Sequence, residues 1–169
     1  MAQSEANHVL RLLNAAGLTP GKVSYPIYFD LENQGSNGRP GASGHSISNS
    51  TLASMASTFC GAIENAGYRA GVYANLNWWN SYLTSSVFDN WSKWVAQYNS
   101  SCWYSKPYDM WQCMSDGSVP GISTNVDVNF DFMGLGSESS EVWNRVYGQG
   151  KLTLCRRFRK LGGLVATVL

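Results

Sequence analysis

The sequence predicts an α/β fold, with parallel strands joined by helical crossovers in its first half and crowded strands in its second. Three observations carry this. Two helices close in the same way, Asn14-Ala-Ala-Gly17 and Glu64-Asn-Ala-Gly67, and each is followed by an apolar strand. A repeated helix–glycine–strand unit is the pattern of a parallel sheet with crossovers. After Trp94 three further short strands follow too closely for full helices to fit between them.

Glu5 to Ala16 reads as a helix, because Ala6, Val9, Leu10 and Leu13 recur at helical spacing. Gly17 then ends it as a C′ residue. After Pro20 and Gly21 comes a strand over Tyr25 to Leu31. Gln34 to Ser48 is rich in Gly, Ser and Asn and reads as a loop, with His45 exposed in it. Thr51 to Ala66 is the clearest helix, with Leu52, Met55, Ala56, Phe59, Cys60 and Ile63 on one stripe and Asn49 or Ser50 as its cap. Tyr68 to Asn75 reads as a second buried strand, and Asn77 to Leu83 as a short helix or loop. The later strands are Lys93 to Tyr98, Tyr108 to Cys113 and Val126 to Phe130. Ser115-Asp-Gly117 and Pro120-Gly121 read as turns. From residue 134 the pattern is lost, and Lys151 to Lys160 is a basic run with a Leu/Val tail.

A length of 169 residues suits one domain, and 14% charged with 13% aromatic residues describes a globular chain rather than a disordered one. Aromatic-rich, charge-poor clefts suit sugars, whose apolar faces stack on rings. The net charge of +1 hides an asymmetry. Residues 1–144 carry eleven acids against six bases, leaving −5, while residues 145–169 carry six bases and no acid. An acidic body is a poor partner for nucleic acid. No stretch reaches the ~20 apolar residues of a membrane span, and no secretory leader is visible at Met1-Ala-Gln-Ser-Glu-Ala. Four cysteines and two isolated histidines, His8 and His45, fit no metal-ligand spacing, and no cofactor is expected. Cys102 and Cys113 flank a short excursion; a bridge between strand ends and two separate thiols both remain open.

The chemistry concentrates in Tyr25-Pro-Ile-Tyr-Phe-Asp-Leu-Glu-Asn33. Alternation along a strand puts Tyr28, Asp30 and Glu32 on one face and Phe29 and Leu31 on the other. The two acids then stand roughly 6.5 Å apart at Cα, two strand rises. Two such carboxylates repel when both are ionised, so one should hold its proton more tightly. A proton donor beside an anion is what glycoside hydrolysis needs. Alone, an Asp-x-Glu at a strand end is more often a solvated loop start.

Five segments taken together are more specific. Tyr28-Phe-Asp-Leu-Glu32, Ala70-Gly-Val-Tyr-Ala-Asn75, Trp94-Val-Ala-Gln-Tyr98, Met110-Trp-Gln112 and Val126-Asp-Val-Asn129 follow in the order and spacing of the family 25 glycoside hydrolases. The chain resembles these Chalaropsis-type lysozymes, or N-acetylmuramidases, over roughly Ala6 to Gly134. The resemblance implies a modified, TIM-like β/α barrel. It implies cleavage of the β-1,4 bond between N-acetylmuramic acid and N-acetylglucosamine in peptidoglycan, with no metal or cofactor. Glu32 matches the family's proton donor, Asp30 its partner carboxylate and Asp127 a third acid of the cleft. Tyr28 lies on the face of the acids, and Tyr73, Tyr98, Trp111 and Gln112 match positions lining the sugar groove. Asp30 would stabilise an oxocarbenium-like state directly or hold the 2-acetamido group for internal attack; the residues do not choose between these.

The resemblance also implies departures. The family's opening strand with its Asp, and the next two strand–helix units, have no counterpart here. The expected barrel is therefore N-terminally truncated and incomplete, about the last five strands, with an off-pattern tail. The expected division is a partial catalytic domain over residues 1–136 and a basic tail over 137–169. An open half-barrel would expose two long edges, which predicts aggregation or oligomerisation, the oligomeric state itself being unknown. Peptidoglycan glycan strands are the expected partner, and the cell wall, the exterior or delivery by phage the expected location. Two other readings stand beside the muramidase. One is an impaired remnant that only binds cell-wall glycan or needs a partner chain. The other is a chitinase-like hydrolase, weakened because the longer Asp-x-x-Asp-x-Asp-x-Glu run is absent before Glu32.

Overall fold

The computed structural model describes residues 1–32, 47–119 and 122–135, and the backbones of two strands at 151–155 and 164–165. His45, the turn expected at Pro120-Gly121 and the basic residues 156–160 lie outside the described residues. Helix α1 (Ala2–Ala15) leads through a 3₁₀ turn at Pro20–Lys22 to strand β1 (Ile27–Asp30). Helix α2 (Asn49–Asn65) leads to β2 (Ala70–Asn75), α3 (Leu76–Ser81) and a second 3₁₀ turn at Ser86–Asn90. Strands β3 (Ser92–Ala96), β4 (Met110–Gly117), β5 (Val126–Asp131), β6 (Lys151–Cys155) and β7 (Leu164–Val165) complete it.

The twin helix endings act as the sequence suggests. Gly17 and Gly67 take φ of 66° and 88°, a backbone that an L side chain rarely adopts. At the first, Leu18 N–H donates to Leu13 O at 2.9 Å; at the second, Tyr68 N–H donates to Ile63 O at 3.2 Å. Both are Schellman closures, which satisfy helix carbonyls and turn the chain back toward the sheet. The Tyr68 hydroxyl then donates to Leu18 O at 2.6 Å and ties the two endings together. The N-cap of α2 is Ser48 rather than Asn49 or Ser50, its side chain accepting from Thr51 N–H.

Strands β1 to β4 are parallel neighbours, and β5 joins β4 antiparallel. The order is β6-β5-β4-β3-β2-β1-β7, and among the described residues β6 does not pair with β7, so the sheet they form does not close. This is the incomplete barrel expected. Its edges differ from expectation. β6 pairs antiparallel with β5, and β7 with Tyr28 and Phe29 of β1. Ser115-Asp-Gly117 is also not a turn: it continues β4 across register shifts between Gln112, Met114 and Gly117. A Cβ on Gly117 would stand 2.4 Å from Val128 Cγ2, so this glycine serves close strand approach at an irregular ladder.

Two apolar layers follow from strand alternation. On the helix side, Phe29, Leu31, Val72, Ala74 and Val95 pack with Val9, Leu13, Leu52, Phe59 and Ile63. Phe29 stacks on Phe59 at 4.5 Å. On the opposite face, Tyr25, Tyr28, Tyr73, Trp94, Ala96 and Met110 form a second, mostly aromatic cluster. The cysteines Cys60, Cys102 and Cys113 are free thiols, which answers the question of a bridge between the last two. Among the described residues no helix is long and apolar enough to cross a membrane.

Candidate active site

The parallel strands bring their C-terminal ends to one side of the sheet, and antiparallel β5 begins there. In α/β barrels that side carries the reacting groups. Register defines two rows on the aromatic face. Asp30, Tyr73, Trp94, Met110 and Asp131 are successive neighbours across β1 to β5. Nearer the strand ends, Asn75, Ala96, Gln112 and Asn129 form the next row. Ala96 presents only a methyl, and the Tyr73 ring reaches past it. Its hydroxyl donates to Gln112 Oε1 at 2.6 Å, both groups buried.

Tyr73 reports what surrounds it. Burial holds its phenol far above the usual value, and Tyr98, Glu32, Asp30 and Asp127 raise it further, in that order. Groups from β1, from the segment after β3 and from β5 therefore act on one hydroxyl. Of the residues singled out in the sequence, Gln112 touches Tyr73 directly, Asp30 is its neighbour in register, and the influence of Glu32, Tyr98 and Asp127 reaches its hydroxyl. The three carboxylates are partly exposed, and Tyr98 is 60% exposed.

Two of the expected groove residues stand elsewhere. Tyr28 is on the predicted face but is 1% exposed. Its hydroxyl meets Ser92 Oγ at 2.8 Å and its ring packs edge-on to Trp94 at 5.2 Å, so it supports the site from below. Trp111 lies on the other face of the sheet. It stacks on Phe130 at 5.0 Å, and its indole N–H donates to Gln97 O at 2.8 Å. Neighbouring residues of a strand point to opposite faces, so Trp111 and Gln112 do not line one groove.

The floor also holds residues the sequence reading passed over. Trp94 packs edge-on against Tyr73 at 5.0 Å, and its indole N–H donates to Asn129 Oδ1 at 2.9 Å. Asn129 is fully buried, and its Nδ2 has no hydrogen-bond partner. Asp131 is buried at the far end, accepting from the Tyr25 hydroxyl at 2.7 Å and from Met133 and Leu135 N–H. Counting by twos from Asp127 finds both Asn129 and Asp131. His8 lies on the partly exposed side of α1 beside Arg11, distant in sequence from the acids. Among the described residues no group of three His, Cys, Asp or Glu is arranged to hold a metal ion.

The sequence profile of glycosyl hydrolases family 25 matches residues 1–122. The chain belongs to this family. Among solved structures it is similar to the modular autolysin LytC of Streptococcus pneumoniae, with a TM-score of 0.63 and 24% identity. That alignment covers 76% of this chain and 30% of LytC, and a second LytC structure carries a synthetic peptidoglycan ligand. It is also similar to the spore cortex lytic enzyme SleM of Clostridium perfringens, with a TM-score of 0.59, 18% identity, and coverage of 77% of this chain and 44% of SleM. The chain thus spans less than half the length of either. At these identities the likeness carries the fold. No curated protein matches the chain.

Proposed function

We propose that this family 25 chain is a lysozyme-type hydrolase of peptidoglycan, cleaving the β-1,4 bond between N-acetylmuramic acid and N-acetylglucosamine. The observation that carries the reading is that Asp30, at the C-terminal end of β1, neighbours the buried Tyr73 in register, with the influence of Glu32, Asp127 and Tyr98 reaching the same tyrosine. Glu32 is the proton donor: a glycosidic oxygen leaves readily only when protonated. Asp30, last residue of β1, is the anion that steadies positive charge on the reacting sugar. Asp127 completes the acidic cleft from β5. Exposed Tyr98 offers a ring to a pyranose face, while Tyr73 and Gln112 form the wall behind the reacting bond. Tyr28 and Trp94 hold that wall in place. LytC, a fold relative, was solved with a peptidoglycan ligand, which agrees with cell-wall glycan as the substrate and the wall as the place of action.

The test is digestion of purified peptidoglycan, with mass spectrometry of the released fragments. New muramic acid reducing ends are expected from the wild-type chain. Glu32→Gln should reduce their release at least ~10²-fold, the usual worth of a positioned acid, with glycan binding nearly intact. Equal release by the variant would remove Glu32 from the role of acid. A second reading is favoured by the unclosed sheet: a chain that binds glycan but needs a partner to cleave it. Binding without any fragment release would select that reading.

A further inference from the structure

Strand β3 ends at Ala96, and the chain leaves the sheet there at the same end as Asp30 of β1. Gln97 fixes its course. Its backbone N–H donates to Gln112 O at 3.0 Å, and its carbonyl accepts the Trp111 indole N–H at 2.8 Å. Its side-chain Oε1 accepts from Trp103 N–H at 2.7 Å, which draws the chain back 6 residues later and closes a short loop. Tyr98 and Trp103 stand at the two feet of that loop, 60% and 68% exposed. Among the described residues no other aromatic side chain is more than half exposed. We infer that Trp103 is a second sugar platform, a stacking surface for a unit of the glycan strand beyond those that the cleft holds. This rests on the proposed hydrolase reading and deepens it, by giving the substrate a footing outside the reacting site.

The polar groups of Trp103 are already engaged. Its backbone N–H goes to Gln97, and its indole N–H donates to Ser101 Oγ at 3.1 Å. An indole has no other hydrogen-bonding group, so what Trp103 offers outward is the apolar face of its ring. One exposed apolar side chain would mean little. Here two share one anchored loop, at the end of the sheet where α/β barrels carry their binding loops. The rest of the loop selects the partner. Residues 97–105 contain no acid and no base, so nothing in them draws a charged ligand. Asn99, Ser100 and Ser101 are exposed on the same loop and supply neutral hydrogen-bonding groups. A pyranose, with an apolar C–H face and a rim of hydroxyls, matches both. Ala96 packs on the aromatic face of the sheet. Gln97, the next residue, points to the other side, and Trp103 meets its side chain. A strand that fills the cleft must therefore continue past the end of β3 to reach the ring. Because the loop is anchored before the ligand arrives, little ordering cost remains to be met on binding.

The test measures binding by the full chain carrying Glu32→Gln, so that the ligand is not consumed, with and without Trp103→Ala. The probes are soluble glycan strands stripped of their peptides and the disaccharide of N-acetylglucosamine and N-acetylmuramic acid. Trp103→Ala should weaken strand binding about tenfold, the scale of one aromatic contact with its buried area. Disaccharide binding and the melting temperature should not change. Trp103→Phe, which keeps a ring, should recover most of the loss. Equal affinity of the alanine variant and its parent for strands would overturn the inference. A fall in apparent mass beside that equal affinity would give the ring to a contact between copies of the chain. If the alanine variant does not fold, the ¹³C ring resonances of Trp103, identified by their loss in Trp103→Phe, decide the matter. They should move on addition of strands and stay in place with the disaccharide; unmoved resonances with bound strands would overturn the inference. Weaker strand binding by the variant, without fragment release from the wild type, would count against the proposed function and not against Trp103. Normal release with equal strand affinity would count against Trp103 alone.

Discussion

An alanine at position 71 would place its Cβ 2.4 Å from Tyr28 Cε1 and 3.0 Å from the Ser92 carbonyl oxygen. Tyr28 has nowhere to go, since its ring is packed on Trp94 and its hydroxyl is held by Ser92. Gly71→Ala should therefore destabilise the fold by about 2 kcal/mol or more, in the range of an overpacked core. Urea unfolding checks this, and an unchanged midpoint would show that the Tyr28 ring is not fixed. At this scale the sequence was most legible where alternation was applied. Asp30 and Glu32 opposite Phe29 and Leu31 followed from period two, and Phe29 and Leu31 do lie in the helix-side core. The same rule, applied to β4, separates Trp111 from Gln112. Family matching grouped them, because it records which positions recur and not which way they point. The burial of Tyr28 was not legible, because it depends on an absent side chain at Gly71 on the neighbouring strand.

Elements were read more securely than their ends. The two helix endings were visible as Asn14-Ala-Ala-Gly17 and Glu64-Asn-Ala-Gly67, because only glycine takes the left-handed turn without strain. Helix α2 starts at Asn49, two residues before the Thr51 that the sequence suggests, since Ser48, Asn49 and Ser50 are all capable caps and only backbone geometry selects among them. Ser48 accepts from Thr51 N–H at 3.1 Å. Ser48→Ala should cost about 1 kcal/mol, whereas Ser50→Ala should change little. Thermal melts of the two variants, read side by side, check the assignment; equal losses would refute Ser48 as the cap. The length of β4 escaped because Ser115-Asp-Gly117 has turn composition, yet its glycine is used for contact with Val128. Strands β6 and β7 escaped for another reason. Lys151-Leu-Thr-Leu-Cys155 does alternate, but the basic residues around it hid the pattern.

At the scale of the molecule, the open sheet was anticipated and the treatment of its edges was not. Unpaired strand edges recruit other chains. Here β6 runs along β5 from Asp127 to Asp131, and β7 along β1 at Tyr28 and Phe29. Deleting residues 151–169 should expose both edges and drive self-association, seen as a rise in apparent mass by light scattering. A monodisperse monomer after deletion would show that these strands do not protect the sheet. One further contact joins the beginning of the sheet to its last core strand. Tyr25, just before β1, donates its hydroxyl to Asp131 across 106 residues of sequence. The parallel neighbours β1 to β4 can assemble in the order the chain supplies them, whereas this clasp waits for β5. Contacts so distant in sequence form slowly, because a large loop must close first. The clasp therefore belongs to the last act of folding and acts as a lock on unfolding. Tyr25→Phe should speed unfolding and leave the refolding rate nearly unchanged, as expected of a bond made after the transition state. Stopped-flow measurements in urea would separate the two rates, and a slowed refolding limb would move the clasp into the nucleus. The bottom of the sheet would then govern how long the molecule stays folded, while its opposite end holds the acids.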